Sequence, residues 1–487
     1  MVTSPDPRRW RALSVSLAAG FMSLLDVSIV NVALPSIQQG LGASSGGVQW
    51  IVSGYALTFG LSLVAGGRLG DVLGRRRMFL IALTGFVLTS ALAGAAPNEG
   101  LLVAARLAQG LAAGLLTPQN SGLIQDMFRG AERGRAFGMF GATVGISTAT
   151  GPVLGGLILA AFGADSGWRW VFYVNVPVGA LAFALAWLWL PRADTGLRTL
   201  RHQIDYRGAL LLGIAVLCVL FPLVQSEGGG TPWLWLLVLL APAFGYAFVR
   251  WEQRVAGRGG KPLLDLTLFT AVPGYPPGLV LGTVYFCGFT GIFLVMSLFL
   301  QKGLQYTPLQ SGLAVTPFAL GSAITAVVAG RLVSRFGRRL TLTGLCLVTL
   351  GLIGVAVVVL LVPERELGWA LTLPLLLAGV GGGAVISPNT TLTLECVPNR
   401  VAGAAGGALQ TGQRIGTAIG TAVLATAYYT TVSATGGRYP VAVSVAMLCA
   451  IGFMLVAITV AVLELRARRR RVVDADRDEA LAADAQR

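Results

Sequence analysis

Apolar residues along this chain come in long runs, not in the alternating pattern of strands or the one-sided stripe of a surface helix. A helical run of about 20 apolar residues crosses a hydrocarbon layer of about 30 Å. Fourteen such runs are expected, at 14–37, 48–69, 78–96, 101–124, 136–161, 171–190, 208–224, 232–249, 278–300, 309–329, 340–362, 369–394, 402–429 and 439–463. The connections between them are short and polar, so no soluble domain fits between spans. Backbone crossing lipid must satisfy its own hydrogen bonds, and runs of this length do so as helices. The pattern predicts an all-α integral membrane protein with fourteen transmembrane helices.

Composition excludes the soluble alternative. Only 12% of the 487 residues are charged and 55% are hydrophobic, against about 25% charged in a typical soluble protein. The net charge of +15 would suggest a nucleic-acid partner in a soluble chain. Here the basic residues sit in clusters between apolar runs, such as Arg75 to Arg77, Arg129/Arg133/Arg135 and Arg335/Arg338/Arg339. That is the signature of cytoplasmic loops, and it implies the bilayer rather than nucleic acid. With the N-terminus placed inside, every Lys and Arg is cytoplasmic except Arg169, Lys302, Arg365 and Arg438 outside, and Arg106 and Arg414 within spans. A miscounted span would invert this order, so the expected location is the cytoplasmic (inner) membrane, multi-pass, with both termini cytoplasmic. The first run is too long for a signal peptide. The five cysteines lack metal-ligand spacing and the single His202 lies in a polar connection, so neither a metal site nor a cofactor is expected.

The chain also repeats itself. Gly67-Arg68-Leu69-Gly70-Asp71-Val72-Leu73-Gly74-Arg75-Arg76 matches Gly330-Arg331-Leu332-Val333-Ser334-Arg335-Phe336-Gly337-Arg338-Arg339 at six of ten positions. Thr117-Pro118-Gln119-Asn120 echoes Ser387-Pro388-Asn389-Thr390 at a similar offset. Two homologous halves follow. The expected domains are a cytoplasmic N-terminus (1–13), a six-helix bundle (14–190), a central hairpin of spans seven and eight with linkers (191–277), a second six-helix bundle (278–463) and a disordered cytoplasmic tail (464–487). Repeat-built transporters hold their substrate near the midplane between halves.

At this point the chain resembles the major facilitator superfamily over nearly its whole length. Gly67–Arg76 is similar to that superfamily's loop signature between spans two and three. Fourteen spans with a central hairpin resemble its drug:proton antiporter branch. So do Leu25-Asp26 through Asn31 to Pro35 in span one, Gly145 through Gly151-Pro152 to Gly155-Gly156 in span five, and Trp168-Arg169-Trp170 through Asn175 to Gly179 at the start of span six. The resemblance implies two six-helix bundles and export of small compounds in exchange for protons. Ser334 stands where the first half has Asp71, so the second gate is expected to lack that charge interaction.

Two intramembrane residues carry the candidate chemistry. Asp26 is the one acidic residue in mid-span, where a charge costs about 2.5–3.5 kcal/mol on insertion scales. It is either a carboxyl satisfied by neighbouring helices or a proton carrier that alternates between neutral and charged. Arg106 is permanently charged and needs a partner, and Asp26 is the obvious one. The resemblance links this arginine to proton coupling; a structural ion pair is the alternative. Asp71, Arg75 and Arg76 are candidate gating residues, which by resemblance stabilise the state closed to the cytoplasm. Gly151 and Pro152 are further gating candidates, since small residues permit close helix approach and proline favours a bend. Candidate substrate contacts are Asn31, Tyr55, Gln109, Gln119, Asn120, Phe286, Phe289, Asn389, Gln413 and Arg414, with ordinary helix packing as the alternative for each.

The reading is a monomeric, proton-coupled exporter of small hydrophobic or amphipathic compounds such as drugs or antibiotics, not an enzyme, needing no cofactor beyond the proton gradient. Its expected cargo is neutral, zwitterionic or monocationic, because one acid is available and Arg414 would repel a second positive charge. The alternatives are a dedicated lipid or metabolite exporter of the same fold, or an intramembrane enzyme or channel. An enzyme would need clustered acids, metal ligands or a nucleophile beside a base, and no such cluster stands out.

Overall fold

The computed structural model describes residues 8–163, 166–191, 205–226 and 232–485, with a few side chains within them left out. Among the described residues the chain is helical throughout and has no strand. The first half comprises α1 (Arg9–Leu41), α2 (Ser45–Leu73), α3 (Arg75–Ala95), α4 (Glu99–Met127), α5 (Gly130–Phe162), the short α6 (Gly167–Tyr173) and α7 (Asn175–Trp189). The hairpin is α8 (Tyr206–Ser226) and α9 (Leu236–Gly257). The second half comprises α10 (Tyr275–Leu298), α11 (Pro308–Phe336), α12 (Arg338–Leu361), the short α13 (Glu364–Ala370), α14 (Thr372–Leu394), α15 (Ala402–Ala434) and α16 (Tyr439–Ala485).

Twelve of these helices or short-helix pairs are long and apolar enough to cross a membrane. The bent helix α5 makes thirteen, with an angle of 43° between Gly130–Thr148 and Val153–Phe162. The remaining expected span, 402–429, corresponds to α15. That helix has 33 residues, ample length for a crossing at 1.5 Å per residue, but Gly, Thr, Gln and Arg414 dilute its apolar character. The count of fourteen is compatible with this arrangement.

The repeat in sequence is a repeat in packing. In the first half α4 packs on α2 and α3, and α1 packs on α5; in the second, α14 packs on α11 and α12, and α10 packs on α15. The halves meet along two seams, α2 with α15 and α5 with α11. The hairpin attaches at the first seam, where α8 touches both α2 and α15. The matched glycines Gly74 and Gly337 explain one part of the repeat. They sit at φ 89° and 52° between α2 and α3 and between α11 and α12, where the chain reverses in a conformation that disfavours any Cβ.

Helix starts are fixed locally. Ser44 caps α2, Asn98 caps α4, and Thr307 with Gln310 forms a reciprocal capping box on α11. Large apolar side chains such as Leu88, Leu188, Leu239, Leu361 and Leu373 remain more than half exposed, as a lipid-facing surface requires. One core cluster crosses both halves at the end that bears the termini, joining Leu13, Phe128 and Phe137 to Tyr275, Leu394 and Ala405. The chain is therefore closed at that end.

One expectation needs correction. The segment 464–487 was expected to be a disordered tail, yet α16 continues as helix to Ala485. Glu464 anchors its start in a buried pair with Arg338. Beyond it the Ala, Arg and Glu content has high helix propensity.

Candidate functional site

Asp26 lies in the middle of α1 with no solvent exposure. Three side chains from two other helices converge on its carboxylate. Arg106 of α4 forms an ion pair with Oδ2. Gln109, one helical turn further on, donates from Nε2 to Oδ1 at 3.0 Å, and Asn175 at the start of α7 donates from Nδ2 to the same oxygen at 2.9 Å. The guanidinium is equally committed. Its Nη1 also donates to Gln109 Oε1 at 2.7 Å, and its Nε donates to the Ile51 carbonyl at 3.0 Å. Its Cζ lies over the Tyr55 ring, 4.1 Å from the centroid, and the Tyr55 hydroxyl donates to the Ser23 carbonyl. A buried carboxylate with this donor set is satisfied in its charged form.

Asn175 was visible only as part of the motif that starts span six. It belongs to the site because the chain breaks between α6 and α7 at Val174, which brings the amide inward beside Ser90 at 3.0 Å. An amide in an otherwise apolar span was the available signal.

A second feature ties α1 to α5. Pro152 has no N–H, so the Thr148 carbonyl one turn earlier loses its helical donor. The Ser28 hydroxyl of α1 supplies it at 2.9 Å. Gly151 lies against Ser28 so closely that a Cβ there would fall 2.3 Å from Ser28 Oγ. The bend of α5 therefore rests on α1 two residues beyond Asp26; the Pro152 side chain itself lies outside the described residues.

A set of contacts around Asp71 and Arg75 spans the two halves. The Asp71 carboxylate, at the end of α2, accepts from the backbone N–H groups of Gly403 and Ala404 at 3.0 Å each. These lie in the first turn of α15, where unpaired donors and the helix dipole favour an anion. Gly67 and Gly403 permit the contact, since a Cβ on Gly67 would sit 2.1 Å from the Gly403 oxygen. Arg75 pairs with Asp71 at 3.2 Å and with Asp126 at 2.7 Å, and donates to the Asn399 carbonyl of the other half at 2.8 Å. Arg76 is different. It turns back within its own half, donates to the Trp187 carbonyl and lies over the Trp187 ring. On the second seam Ser334 is exposed, and the close approach of Gly134 to Gly330 holds α5 against α11.

Asp71→Asn keeps one acceptor oxygen but removes the charge from the α15 terminus. A charge at such a position contributes about 1–2 kcal/mol in partly buried geometry, or about tenfold in the closed population. Transport should slow by about that factor while ligand affinity is unchanged, as read from initial rates in vesicles and equilibrium binding. A large loss of affinity would contradict a gating role for Asp71.

The substrate candidates separate into groups. Tyr55 and Gln109 belong to the Asp26 cluster. Gln119 is buried and donates to the carbonyls of Gly66 and Leu115; Asn120 accepts from Ser16. Asn389 accepts from Arg338 and donates to the Gly278 carbonyl. Gln119 and Asn389 thus bond to other helices, while the buried Asn120 Nδ2 has no hydrogen-bond partner. Phe289 lines a cleft between α5, α10, α11 and α14 with Phe293, Phe318, Val144, Gly145 and Thr148, and Phe286 packs edge-on against it. Asn31 is exposed on α1, and Gln413 faces Gly282 of α10. Arg414 of α15 is half-buried, with its guanidinium 4.5 Å above the Phe59 ring.

The comparisons with known proteins bear on the family and the fold. Residues 16–421 match the Major Facilitator Superfamily. The probable actinorhodin transporter of Streptomyces coelicolor is 37% identical over 87% of this chain and 73% of its own length. The puromycin resistance protein of Streptomyces alboniger is 36% identical over 87% of this chain and 82% of its own. The crystal structure of the human organic anion transporter MFSD10 superposes with a TM-score of 0.67 at 16% identity, covering 94% of this chain and all of that one, a likeness of fold alone. With the matching residues spanning both halves, this multi-pass membrane protein belongs to the major facilitator superfamily of transporters.

Proposed function

We propose that the chain is a proton-coupled antiporter that exports small hydrophobic or amphipathic compounds such as antibiotics across the cytoplasmic membrane. The observation that carries the coupling is the Asp26–Arg106 pair, buried between α1 and α4 and fastened through Gln109 and Asn175. Protonation of Asp26 and its pairing with Arg106 exclude each other, so each proton taken up releases helices that the pair holds together. Ser28 and the bent α5 lie within two residues of that event. They transmit it to the α5–α11 seam, while the Asp71 contact holds the other seam until the halves rock. The protein acts as a monomer with both termini in the cytoplasm and needs no cofactor. The curated relatives named above, an actinorhodin transporter and a puromycin resistance protein, support antibiotics as the cargo class.

The driving force is adequate. One proton entering across 100 mV contributes about 2.3 kcal/mol, and one pH unit about 1.4 kcal/mol. Together they sustain a gradient of roughly a few hundredfold for a neutral compound. The test is a susceptibility panel in an efflux-deficient host, paired with proton-gradient measurements in everted vesicles. Tolerance to several compounds that an uncoupler removes is the expected result. Tolerance to one compound alone identifies a dedicated exporter, and no response of the vesicle gradient to any compound defeats the proposal.

A further inference from the structure

Two arginines lie within the predicted spans, and the structure treats them differently. Arg106 lies over the Tyr55 ring and is neutralised by Asp26. Arg414 lies over the Phe59 ring. Tyr55 and Phe59 are themselves stacked, 6.0 Å between centroids and 17° from parallel. The result is a column of guanidinium, ring, ring, guanidinium that runs from the proton site on α1 and α4, through α2, to α15 of the other half. Among the described residues Arg414 has neither an acidic partner nor a hydrogen-bond acceptor; its guanidinium lies over the Phe59 ring. A guanidinium cannot be neutralised by losing its proton. Within a membrane it requires a counter-charge or a wet cavity. Asp26 does not supply the charge, because Arg106 already takes it.

We propose that Arg414 receives an acidic oxygen of the exported compound, so the substrate class is organic anions: carboxylates, phenolates or enolates. The site lies on the seam between halves, where a repeat-built transporter holds its cargo. The guanidinium offers a planar fork to two oxygens. The inference rests on the exporter reading, and it moves the expected cargo from neutral or monocationic compounds to anions. It also carries a consequence for energetics. One proton in for one monoanion out moves two charges in the driving direction, so export of an acid is steeper in voltage than export of its neutral ester.

The experiment uses a fluorescent anthracenecarboxylate and its methyl ester with the full chain in nanodiscs and in everted vesicles. The wild type should bind the acid at least about tenfold more tightly than the ester, a factor expected of one charge-assisted fork. In Arg414→Gln that ratio should collapse to about one, chiefly through loss of acid affinity, and Arg414→Lys should restore part of it. Equal or absent binding of the acid by the wild type overturns the inference without recourse to any variant. So does an unchanged ratio in Arg414→Gln. Acid preference in binding, with no movement of either probe under an imposed proton gradient, supports this inference and sinks the exporter reading instead.

Discussion

Asp26→Asn should abolish proton-driven transport, with initial rates in everted vesicles falling at least about a hundredfold. The substitution is close to isosteric, and an amide oxygen can still accept from Gln109 or Asn175, so folding and membrane insertion should survive. What is lost is the group that alternates between charged and neutral, and with it the competition between a proton and Arg106. Exchange of substrate down its own gradient should persist, because that needs the rocking of the halves and not the proton. The measurement is uptake driven by an imposed pH gradient, compared with counterflow at equal pH, normalised to protein in the membrane. Full proton-driven activity in this variant would remove Asp26 from the mechanism.

Arg106→Ala should be the more damaging change to the fold. It leaves a carboxylate with no exposure and only two amide donors, and it strips the Ile51 carbonyl and the Tyr55 face of their partner. Removing one member of a buried pair costs about 3–5 kcal/mol, so the thermal transition of the purified protein should fall and transport should stop. Arg106→Lys should recover stability in part, because an ammonium can reach Asp26 but cannot also supply the planar stack on Tyr55 and the second donor to Ile51. The double variant Asp26→Asn/Arg106→Ala should be more stable than Arg106→Ala alone while remaining inactive, the non-additivity that marks a coupled pair. Normal transport in Arg106→Ala would show that the pair has no role in turnover.

Much of this protein was determined by the sequence alone, and for a definite reason. Transfer of a helix into lipid is governed by its own run of side chains, so the spans, their alternating charge and the repeat at Gly74 and Gly337 are one-dimensional facts. The Asp26–Arg106 pair was legible by elimination: a membrane interior with one mid-span acid leaves an arginine few choices. Its remaining partners were not. Asn175 is 149 residues from Asp26, and nothing in hydropathy says which way an amide turns. Asp71 and Arg75 were legible as charges near a gate, but not that Asp71 would cap α15 in the opposite half, nor that the adjacent Arg76 would face Trp187. Gln119, Asn120 and Asn389 read equally well as cavity or packing residues, and Glu464 read as the start of a tail until Arg338 was found against it. These outcomes depend on how helices rotate and how near they come. That distance is set by backbone contacts such as Gly67 on Gly403 and Gly134 on Gly330. A glycine in the sequence permits such an approach, but only the packed pair of halves decides which helix arrives.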